Sequence, residues 1–501
     1  MAFESILFKN DNYKLVTEQP EFFVDIHLDK IVDNIVTIND DTVLKHIFYT
    51  HLNGLDDIKY RQEVFTDLEN NDIFSIIKNY YDRIKKMNGY LSGIENLYEY
   101  QRERWLLDSI EIYCEAINTL YGDLLNSDIK SRGLNSLKEY LNGYIKSGYF
   151  ISLVNDTGKL KSELSKIRYL MHIRGTKVVV SGYRSDNDYS DDVENAFEKF
   201  REDGEEKKNV NYSHSMGHVE AALLSLVARL YPDEFTELLK YYNKHKNFID
   251  TEISVFNREI NFYLKYINYI SKIKNYGLSF SMPEITEDKD NIYSYGGFNL
   301  ALADKIRDKT ICNDFNINND ERIIVITGPN NGGKTTFARA FAQLHYLANL
   351  GLPVPGKKSR LFLFDKIFTH FEKSEDVNNL RGKLEGDLMR IKYIIDNGTD
   401  KSIIIINEML SSTTLNDAIY IGKQIVDNIR KINSICVYVT FVDELTSIGN
   451  TVSMVGQVLK DNPEIRTHKI IREPANGLAY AMALAEKYGV THDMIIRRGR
   501  S

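Results

Sequence analysis

Apolar residues return at every third or fourth position along much of the first half of the chain, from about Asp41 to Tyr276. This spacing places them on one face of a helix, and the stretches are longer than strands reach. We therefore predict long helices that pack against one another through these faces. The clearest apolar stripes are Leu106, Ile110, Tyr113, Ile117 and Leu120; Val219, Leu223, Leu226, Val227 and Leu230; and Phe256, Ile260, Tyr263, Leu264, Ile267 and Ile270.

One β-branched run interrupts this helical half, at Lys177–Tyr183, and it predicts a strand. Residues 186–208 follow it with many charges, among which acids outnumber bases, as is typical of a solvated surface. Pro232 comes directly after the second stripe and Gly277 after the third, so we expect those two helices to end there.

The pattern changes from Tyr293 onward, where short apolar runs alternate with helical segments as in an α/β sheet. We therefore predict a multidomain chain with an N-terminal segment over residues 1–40, an all-α domain over 41–290 and an α/β domain over 291–501. A small β-containing tip is expected near 173–216, and the loop at 283–291 is the expected boundary between the two larger domains.

The composition is that of a globular protein, since 43% of the 501 residues are apolar and 27% are charged. The net charge of −8 gives no overall basic field, so any contact with nucleic acid must come from a local patch. Cys114, Cys312 and Cys436 lack the spacing of a disulfide framework or a zinc site. We see no signal peptide and no run of about 18 apolar residues, and we expect a cytoplasmic protein without a membrane partner.

A phosphate-binding loop stands out in the last third of the chain. The apolar run Arg322–Ile326 leads into Gly328-Pro329-Asn330-Asn331-Gly332-Gly333-Lys334-Thr335, which satisfies the P-loop pattern G-x-x-x-x-G-K-[ST]. Glycines let backbone N–H groups curl round a phosphate, and the helix that follows directs its positive end at the same anion. We therefore predict an ATP site formed by residues Gly328 to Thr336, in which Lys334 contacts the β- and γ-phosphates and Thr335 contacts Mg²⁺.

A second buried strand, Ser402–Ile406, ends in Asn407 and Glu408. In P-loop enzymes this position holds an acid that orders the Mg²⁺ shell, and in some classes a Glu that polarises the attacking water follows it. We predict that Glu408 and Lys334 are catalytic and that Thr335, Asn407 and Glu408 lie around Mg²⁺. Because an amide brings no charge to the metal, Mg²⁺ binding should be weaker than with an Asp.

The loop that begins at Gly328 resembles that of the MutS mismatch-repair family, which is built on an ABC-type P-loop ATPase domain. The similarity continues through the rest of residues 291–501. Asp365–Thr369 resembles the strand and turn before that family's signature loop, Glu375–Leu384 the signature loop, Glu408–Thr413 with Asp417 the dimer-interface loop, Val439–Thr446 the switch segment, and Lys469–Ile471 with Gly477–Ala481 the closing strand and helix. The resemblance implies a homodimer in which Arg381 and Gly382 of one subunit reach the ATP of the other.

Three residues depart from the family pattern. Asn407 stands where the family has an acid, Gly382 where it has a serine that reaches the γ-phosphate across the dimer, and Phe441 where it has a histidine. Losing one hydroxyl contact to a charged phosphate costs roughly 1.5 to 3 kcal/mol. We therefore expect slow ATP hydrolysis, with Arg381 as a substitute source of positive charge.

The first half of the chain is similar to the family's core, lever and clamp regions through its helical layout and through Ile58–Val64, which resembles the segment opening the core domain. No Phe-x-Glu motif, with which the family reads mismatches, occurs before Asp41. Mismatch reading of the family's usual kind is therefore not expected.

Two functional hypotheses remain open. The first is a dimeric, ATP-gated clamp on double-stranded or branched DNA, in the service of DNA repair. The second is an ATP-dependent switch whose partner is a protein and whose hydrolysis is residual. The layout of the chain favours the first hypothesis, whereas the acidic stretch 186–208 and the three substitutions favour the second. An ABC transporter motor is a poor third hypothesis, because no Leu-Ser-Gly-Gly-Gln sequence occurs.

Overall fold

The computed structural model of the chain describes residues 3–9, 13–37, 42–175, 177–183, 216–372, 383–410, 413–459 and 462–475. It combines long helices with several sheets, as expected for a multidomain chain that contains an α/β region. Within these ranges no helix is both long enough and apolar enough to cross a membrane.

From Phe22 to Leu164 the described chain consists mainly of helices, with one short 3₁₀ turn at Ile94–Asn96. Its helices are α1 (Phe22–Ile26), α2 (Leu28–Ile35), α3 (Thr42–Tyr49), α4 (Leu55–Leu68), α5 (Asn71–Leu91), α6 (Gln101–Leu125), α7 (Arg132–Ile145) and α8 (Gly148–Leu164). An antiparallel hairpin of β1 (Tyr169–Arg174) and β2 (Lys177–Gly182) comes next, which confirms the strand predicted from the β-branched run. The helices α9 (His218–Leu230), α10 (Pro232–His245) and α11 (Thr251–Lys274) follow.

Strands and helices alternate from residue 280 onward, as the pattern predicts. The elements are β3 (Phe280–Ser281), β4 (Glu284–Thr286), β5 (Ile292–Gly297), α12 (Leu300–Ile306), β6 (Asn313–Ile317), β7 (Ile323–Thr327), α13 (Lys334–Asn349), β8 (Val354–Pro355), β9 (Lys358–Phe362), β10 (Ile367–His370), α14 (Lys383–Asn397), β11 (Ile403–Asn407), α15 (Leu415–Ile432), β12 (Ile435–Val439), a 3₁₀ turn (Asp443–Ser447), β13 (Thr451–Leu459) and β14 (Asn462–Arg472). The expected boundary loop at 283–291 contains β4, because Ile285 and its neighbours pair in parallel with β9.

The apolar stripes mark real helices but do not all mark buried faces. The stripe on α6 is buried throughout, and that on α11 is buried at all of its positions except Ile267, which is half-buried. On α9 only Val227 of the stripe is buried, whereas Val219, Leu226 and Leu230 are exposed. The expected packing through this face is therefore wrong for most of α9, because helical spacing shows which residues share a face but not what covers it.

The chain divides into two compact units. One contains residues 1–3 and 67–257, and the other contains residues 4–66 and 258–501. The domain boundaries near residues 40 and 290 thus stay a prediction, while the compact units divide the chain at 66/67 and 257/258. In the first unit, the Asp67 carboxylate accepts hydrogen bonds from the backbone N–H groups of Lys130 and Ser131, just before α7 begins.

The second unit is built on a six-stranded sheet in the order β10-β11-β12-β7-β13-β14. The strands from β10 to β13 are parallel and β14 is antiparallel. Strands β7, β11 and β12 are fully buried, which explains why most of their residues are apolar on both faces. Because parallel strands end at the same edge, the residues that follow β7, β11 and β12 lie together.

Residues 4–66 belong to this unit and contact the C-terminal end of α13 through Arg61. Arg61, which has no exposed surface, donates hydrogen bonds to the carbonyl oxygens of Leu7 (3.4 Å) and Leu350 (2.9 Å). Its guanidinium group lies 5.1 Å from the ring centroids of both Phe8 and Phe262. A positive charge at the end of α13 is favourable, because the last carbonyls of a helix carry partial negative charge.

Candidate functional site

The predicted phosphate loop connects a buried strand to a buried helix. Strand β7 ends at Thr327, and α13 begins at Lys334 after a loop in which Gly328, Asn331 and Gly333 have positive φ angles of 119°, 58° and 94°. Left-handed backbone is accessible to glycine and, next best, to asparagine. The loop sequence therefore fits the turn that brings its backbone round to the start of α13.

Two of the loop glycines are required by space as well as by conformation. A Cβ atom on Gly328 would lie 2.8 Å from the backbone nitrogen of Gly456 on β13, and one on Gly332 would lie 2.8 Å from the carbonyl oxygen of Pro329. Real Cβ atoms do not approach backbone this closely. The cradle therefore exists only without side chains at these positions, and a hydrogen bond of 3.1 Å from the Gly332 N–H to the Pro329 carbonyl oxygen closes its turn.

Lys334 is the first residue of α13 and is only 4% exposed. Its ammonium group donates hydrogen bonds to the carbonyl oxygens of Gly328 (2.9 Å) and Pro329 (3.2 Å) and lies 3.7 Å from Oε1 of Glu408. Burial lowers the pKa of Lys334, and the Glu408 carboxylate opposes this shift. A buried cation that is held mainly by carbonyl oxygens is well suited to exchange these contacts for phosphate oxygens.

The end of β11 brings the predicted metal-site residues together. The Thr335 hydroxyl donates a hydrogen bond of 2.8 Å to Oδ1 of Asn407, which is 8% exposed. Glu408 follows with a φ of 53°, held by a hydrogen bond from its N–H to the carbonyl oxygen of Val439. This left-handed conformation is costly for a residue with a Cβ atom. In this conformation the Glu408 carboxylate lies beside Lys334, and the Glu408 side chain is 37% exposed.

A cleft of about 770 Å³ opens over the loop. Asn330, Asn331, Gly332, Gly333, Lys334, Thr335, Thr336 and Glu408 line one side of it. The other predicted loop residues, Gly328 and Pro329, lie behind this surface, where their carbonyls accept from Lys334. Its volume is in the range of small-molecule sites.

The opposite side of the cleft was not predicted from the sequence. It is formed by Leu302, Ile306, Lys309, Thr310, Ile311, Asn313 and His468. Most of these residues belong to α12 and the segment before β6, about twenty to thirty positions ahead of the loop in the chain, and no motif marks them. His468 on β14 has a φ of 56° and its backbone lies against Gly333, since a Cβ atom on Gly333 would be 3.4 Å from the His468 carbonyl oxygen.

Arg381 and Gly382, which were predicted to reach a partner's nucleotide, lie outside the described residues. The two sides of the gap are joined to each other. Nε2 of His370, at the end of β10, is 3.1 Å from Oδ1 of Asp387 on α14, and Arg390 donates to the carbonyl oxygen of Phe371. Most of the predicted tip at 173–216 and the closing segment Gly477–Ala481 likewise lie outside the described residues.

The predicted interface loop and switch segment are described in part. The hydroxyl groups of Thr413 and Thr414 donate to the Asp417 carboxylate, and Thr414 caps the start of α15. In the switch segment, the Thr440 N–H donates to the carbonyl oxygen of Ile326, while the Phe441 side chain is 49% exposed. The segment after β12 is thus attached to the strand that leads into the phosphate loop.

The comparison with known protein families agrees with this geometry. The family model of MutS domain V matches residues 324–500. The match begins within β7 and includes the phosphate loop, α13, the end of β11 and the switch segment. Domain V is the ATPase and dimerisation domain of MutS-family mismatch repair proteins.

Proposed function

We propose that this chain, which belongs to the MutS family through its domain V, is a homodimer that binds ATP and hydrolyses it slowly. In this proposal the bound nucleotide controls the affinity of the dimer for DNA. The single observation that carries this proposal is the buried Lys334 ammonium beside a side-chain-free glycine cradle, with Thr335, Asn407 and Glu408 at hand. In this proposal the triphosphate binds in the cleft along Gly332–Thr335.

The chain's own residues fit the phosphates of ATP. The backbone N–H groups at the start of α13 form the positive end of the helix dipole, which attracts phosphate. Lys334 exchanges its carbonyl partners for phosphate oxygens. The hydrophobic Ile311 and the His468 ring, on the opposite wall, offer surfaces for the nucleoside. All of these contacts come from one subunit.

Mg²⁺ also fits the residues present. Thr335 Oγ1 and Asn407 Oδ1 are 2.8 Å apart, and both are oxygen ligands of the kind that the metal or its waters prefer. Mg²⁺ neutralises phosphate charge when it is bound. With an amide at Asn407, the site has less negative charge than one with an acid, so metal affinity and turnover are lower.

Hydrolysis in this proposal depends on Glu408. Its carboxylate is at the rim of the cleft, where it accepts a proton from an attacking water, and its Oε1 lies 3.7 Å from the Lys334 ammonium group. Arg381 and Gly382 of a second copy complete the site from outside. Dimerisation therefore depends on nucleotide, and DNA is held when the dimer is closed.

A second candidate is a nucleotide-dependent switch that binds a protein. The observation that favours it is the β1–β2 hairpin, where Tyr169, Met171 and Ile173 project from one strand with exposed fractions of 48%, 48% and 66%. Exposed apolar side chains suit contact with protein better than contact with phosphates. This reading keeps the ATP site and the dimer, but replaces DNA with a polypeptide partner.

The test of the ATP site is the substitution Lys334→Ala. We expect it to reduce ATP affinity by at least about a hundredfold, because it removes a charge-assisted contact to two phosphates. Equilibrium dialysis with labelled ATP measures this directly. Lys392→Ala, which removes an exposed lysine of α14, is the matched control and should bind as the parent does. Unchanged ATP affinity of the Lys334→Ala protein would reject the proposed site.

A further inference from the structure

A second cavity lies next to the nucleotide cleft and is larger than it, at about 1060 Å³. Helices α2, α11, α12 and α13 line it, and all of its residues belong to the compact unit formed by 4–66 and 258–501. Leu302 and Thr336 line both this cavity and the nucleotide cleft. Thr336 is the one residue of the predicted ATP site that lines it, and neither Lys334 nor Glu408 does, so the proposed function leaves this cavity unexplained.

The cavity carries an excess of positive charge. Its cationic side chains are Lys30, Lys272, Lys305, Arg307 and Arg339, and its only acids are Asp33 and Asp304.

Both acids are already engaged. Asp33 accepts a hydrogen bond of 2.8 Å from Lys45, and Asp304 accepts from Asn34 (2.6 Å) and from the Tyr269 hydroxyl (3.2 Å).

Four of the five cations of the cavity lack an ion-pair partner among the described residues. Within the described part of the chain, the side chains of Lys30, Lys272, Lys305 and Arg307 form no ion pair. Arg339 donates to the backbone carbonyl oxygen of Asp25, and the Asp25 carboxylate is close enough to raise the pKa of Arg339 against the lowering by burial. Uncompensated cations on several helices that face one concave space are an arrangement that attracts an anion with several charges.

The half-buried His27 lies in the electrostatic field of these cations. It is the residue between α1 and α2, and its φ of 60° holds its ring at the cavity. Burial lowers the pKa of His27 to about 4, with further lowering by Arg339, Lys30 and Lys305. The same cations that disfavour a proton on this ring favour a negative charge in front of it.

We propose that this cavity is a second ligand site, which binds a small molecule carrying two or more phosphate groups. The five cations exceed the two acids by three charges, which matches a polyphosphate rather than a single carboxylate or monovalent ion. The cavity is partly open to solvent and its volume suits a compact ligand, whereas a nucleic-acid duplex contacts cations along an extended surface. Asn34, Asn275 and Tyr276 provide polar groups and a ring for the rest of such a molecule.

The ligand would influence the nucleotide site through α13. Thr336 directly follows Thr335, and Arg339 lies about one turn further along the same helix. Both line the second cavity. Phosphates bound at Arg339 therefore act on the helix whose first residue is Lys334.

The experiment measures binding of inorganic tripolyphosphate, orthophosphate and ATP by the full chain and by its Lys334→Ala variant. This variant removes the cleft's phosphate contact, so binding that survives in it comes from elsewhere. We expect Lys334→Ala to retain one saturable tripolyphosphate site per chain. Adding Lys30→Gln and Lys305→Gln in this background should weaken tripolyphosphate binding by at least about tenfold, since each removes a charge-assisted contact. Lys59→Gln with Lys392→Gln, which neutralises two exposed lysines elsewhere, should leave it unchanged.

The position of the ligand is checked by the NMR titration of His27. We expect bound tripolyphosphate to raise the pKa of His27 from about 4, because the anion stabilises the imidazolium. No saturable binding of tripolyphosphate by Lys334→Ala, equal binding by the Lys30→Gln, Lys305→Gln protein, or an unmoved His27 titration would each overturn the proposal. Charge-dependent binding of an oligonucleotide but of no small phosphate would also overturn it, in favour of a nucleic-acid surface. The outcome does not depend on whether ATP occupies the first cleft.

Discussion

Glu408 combines a chemical group with an unfavourable backbone conformation. At a φ of 53° a side chain with a Cβ atom costs about 1–2 kcal/mol relative to glycine. The conformation persists because β11 ends there in full burial and because the Glu408 N–H is bound to the Val439 carbonyl. Stability is thus given up at the position where a carboxylate is needed beside Lys334.

This conflict leads to a prediction for two variants. Glu408→Gly should be more stable than Glu408→Ala by about 1 kcal/mol, because only glycine relieves the left-handed conformation. Neither variant should hydrolyse ATP at the parent rate. Chemical denaturation and steady-state ATP turnover give the two readouts. If the two variants are equally stable, the backbone of Glu408 is not strained, and if either keeps the parent rate, Glu408 is not the catalytic base.

Asn407 is the residue that sets the strength of the metal site. Asn407→Asp should lower the Mg²⁺ concentration required for ATP binding by on the order of tenfold, because a carboxylate attracts the metal shell more strongly than an amide. Without Mg²⁺ the variant should be less stable than the parent, since a buried carboxylate then lies next to the carboxylate of Glu408. A Mg²⁺ titration of ATP binding measures the first effect. Asn407→Ala is the control and should require more Mg²⁺ than the parent.

At the residue scale, the sequence predicted the residues on one side of the cleft but not those on the other. Lys334, Thr335, Asn407 and Glu408 were predictable because a local spacing fixes their chemistry, and the structure brings them together. The opposite wall was not, because His468 comes to the cleft through the antiparallel pairing of β13 with β14 and not through any neighbour in the chain. The left-handed φ of Glu408 was also missed, since no property of the side chain indicates it.

At the scale of elements, α13 is the helix on which the second unit is assembled. Gln343 donates to the carbonyl oxygen of Ile26 and accepts from the N–H of Leu300, and the Tyr346 hydroxyl donates to the carbonyl oxygen of Phe48. The contacts with Ile26 and Phe48 attach residues 4–66 to the helix that begins at Lys334. The packing of 4–66 here could not be predicted from periodicity, because an amphipathic helix does not specify its neighbour.

His345 gives this helix a pH dependence. Its ring is buried between Phe341 and Phe315, and burial lowers its pKa to about 4 despite a hydrogen bond that it donates to the Phe341 carbonyl. The unfolded chain takes up a proton as the pH falls through the ordinary value near 6.5, whereas the folded chain does not. The stabilisation present above pH 6.5 is therefore lost between pH 6.5 and 4, by on the order of 3 kcal/mol.

The variant His345→Phe should flatten that dependence. A phenyl ring occupies a similar space. The substitution removes the hydrogen bond from Nδ1 to the Phe341 carbonyl oxygen, whereas Nε2 of His345 has no hydrogen-bond partner among the described residues. Hydrogen exchange of the α13 amides between pH 4.5 and 7 is the measurement, corrected for intrinsic exchange rates. We expect the parent to lose protection on acidification by more than the variant does. The two proteins are compared first at pH 8, where similar protection shows that the substitution itself is tolerated. Parallel losses in both proteins would exclude His345 as the origin.

At the scale of the whole molecule, charge restricts how DNA is held. With a net charge of −8 the chain repels a duplex at long range. Binding of DNA therefore depends on local cations and on closure of a dimer. Closure in turn depends on the triphosphate, because the proposed site is completed by Arg381 and Gly382 of a second copy. Oligomeric state, nucleotide binding and DNA affinity are therefore coupled in this proposal. A protein switch shares the first two properties and differs only in binding a protein instead of DNA.

This coupling can be tested in two steps, the first on the oligomeric state and the second on DNA binding. With saturating Mg-ATP the parent should become dimeric, Glu408→Ala should remain dimeric for longer because its ATP persists, and Lys334→Ala should remain monomeric. Light scattering after size-exclusion chromatography measures the mass. Binding to duplex, mismatched and branched DNA at two salt concentrations then decides the partner, since phosphate contacts weaken as salt rises. An ATP-dependent, salt-sensitive affinity supports the clamp, whereas a dimer that binds none of these DNAs supports the protein switch. A parent that stays monomeric in Mg-ATP contradicts both, because each requires a second subunit to complete the site.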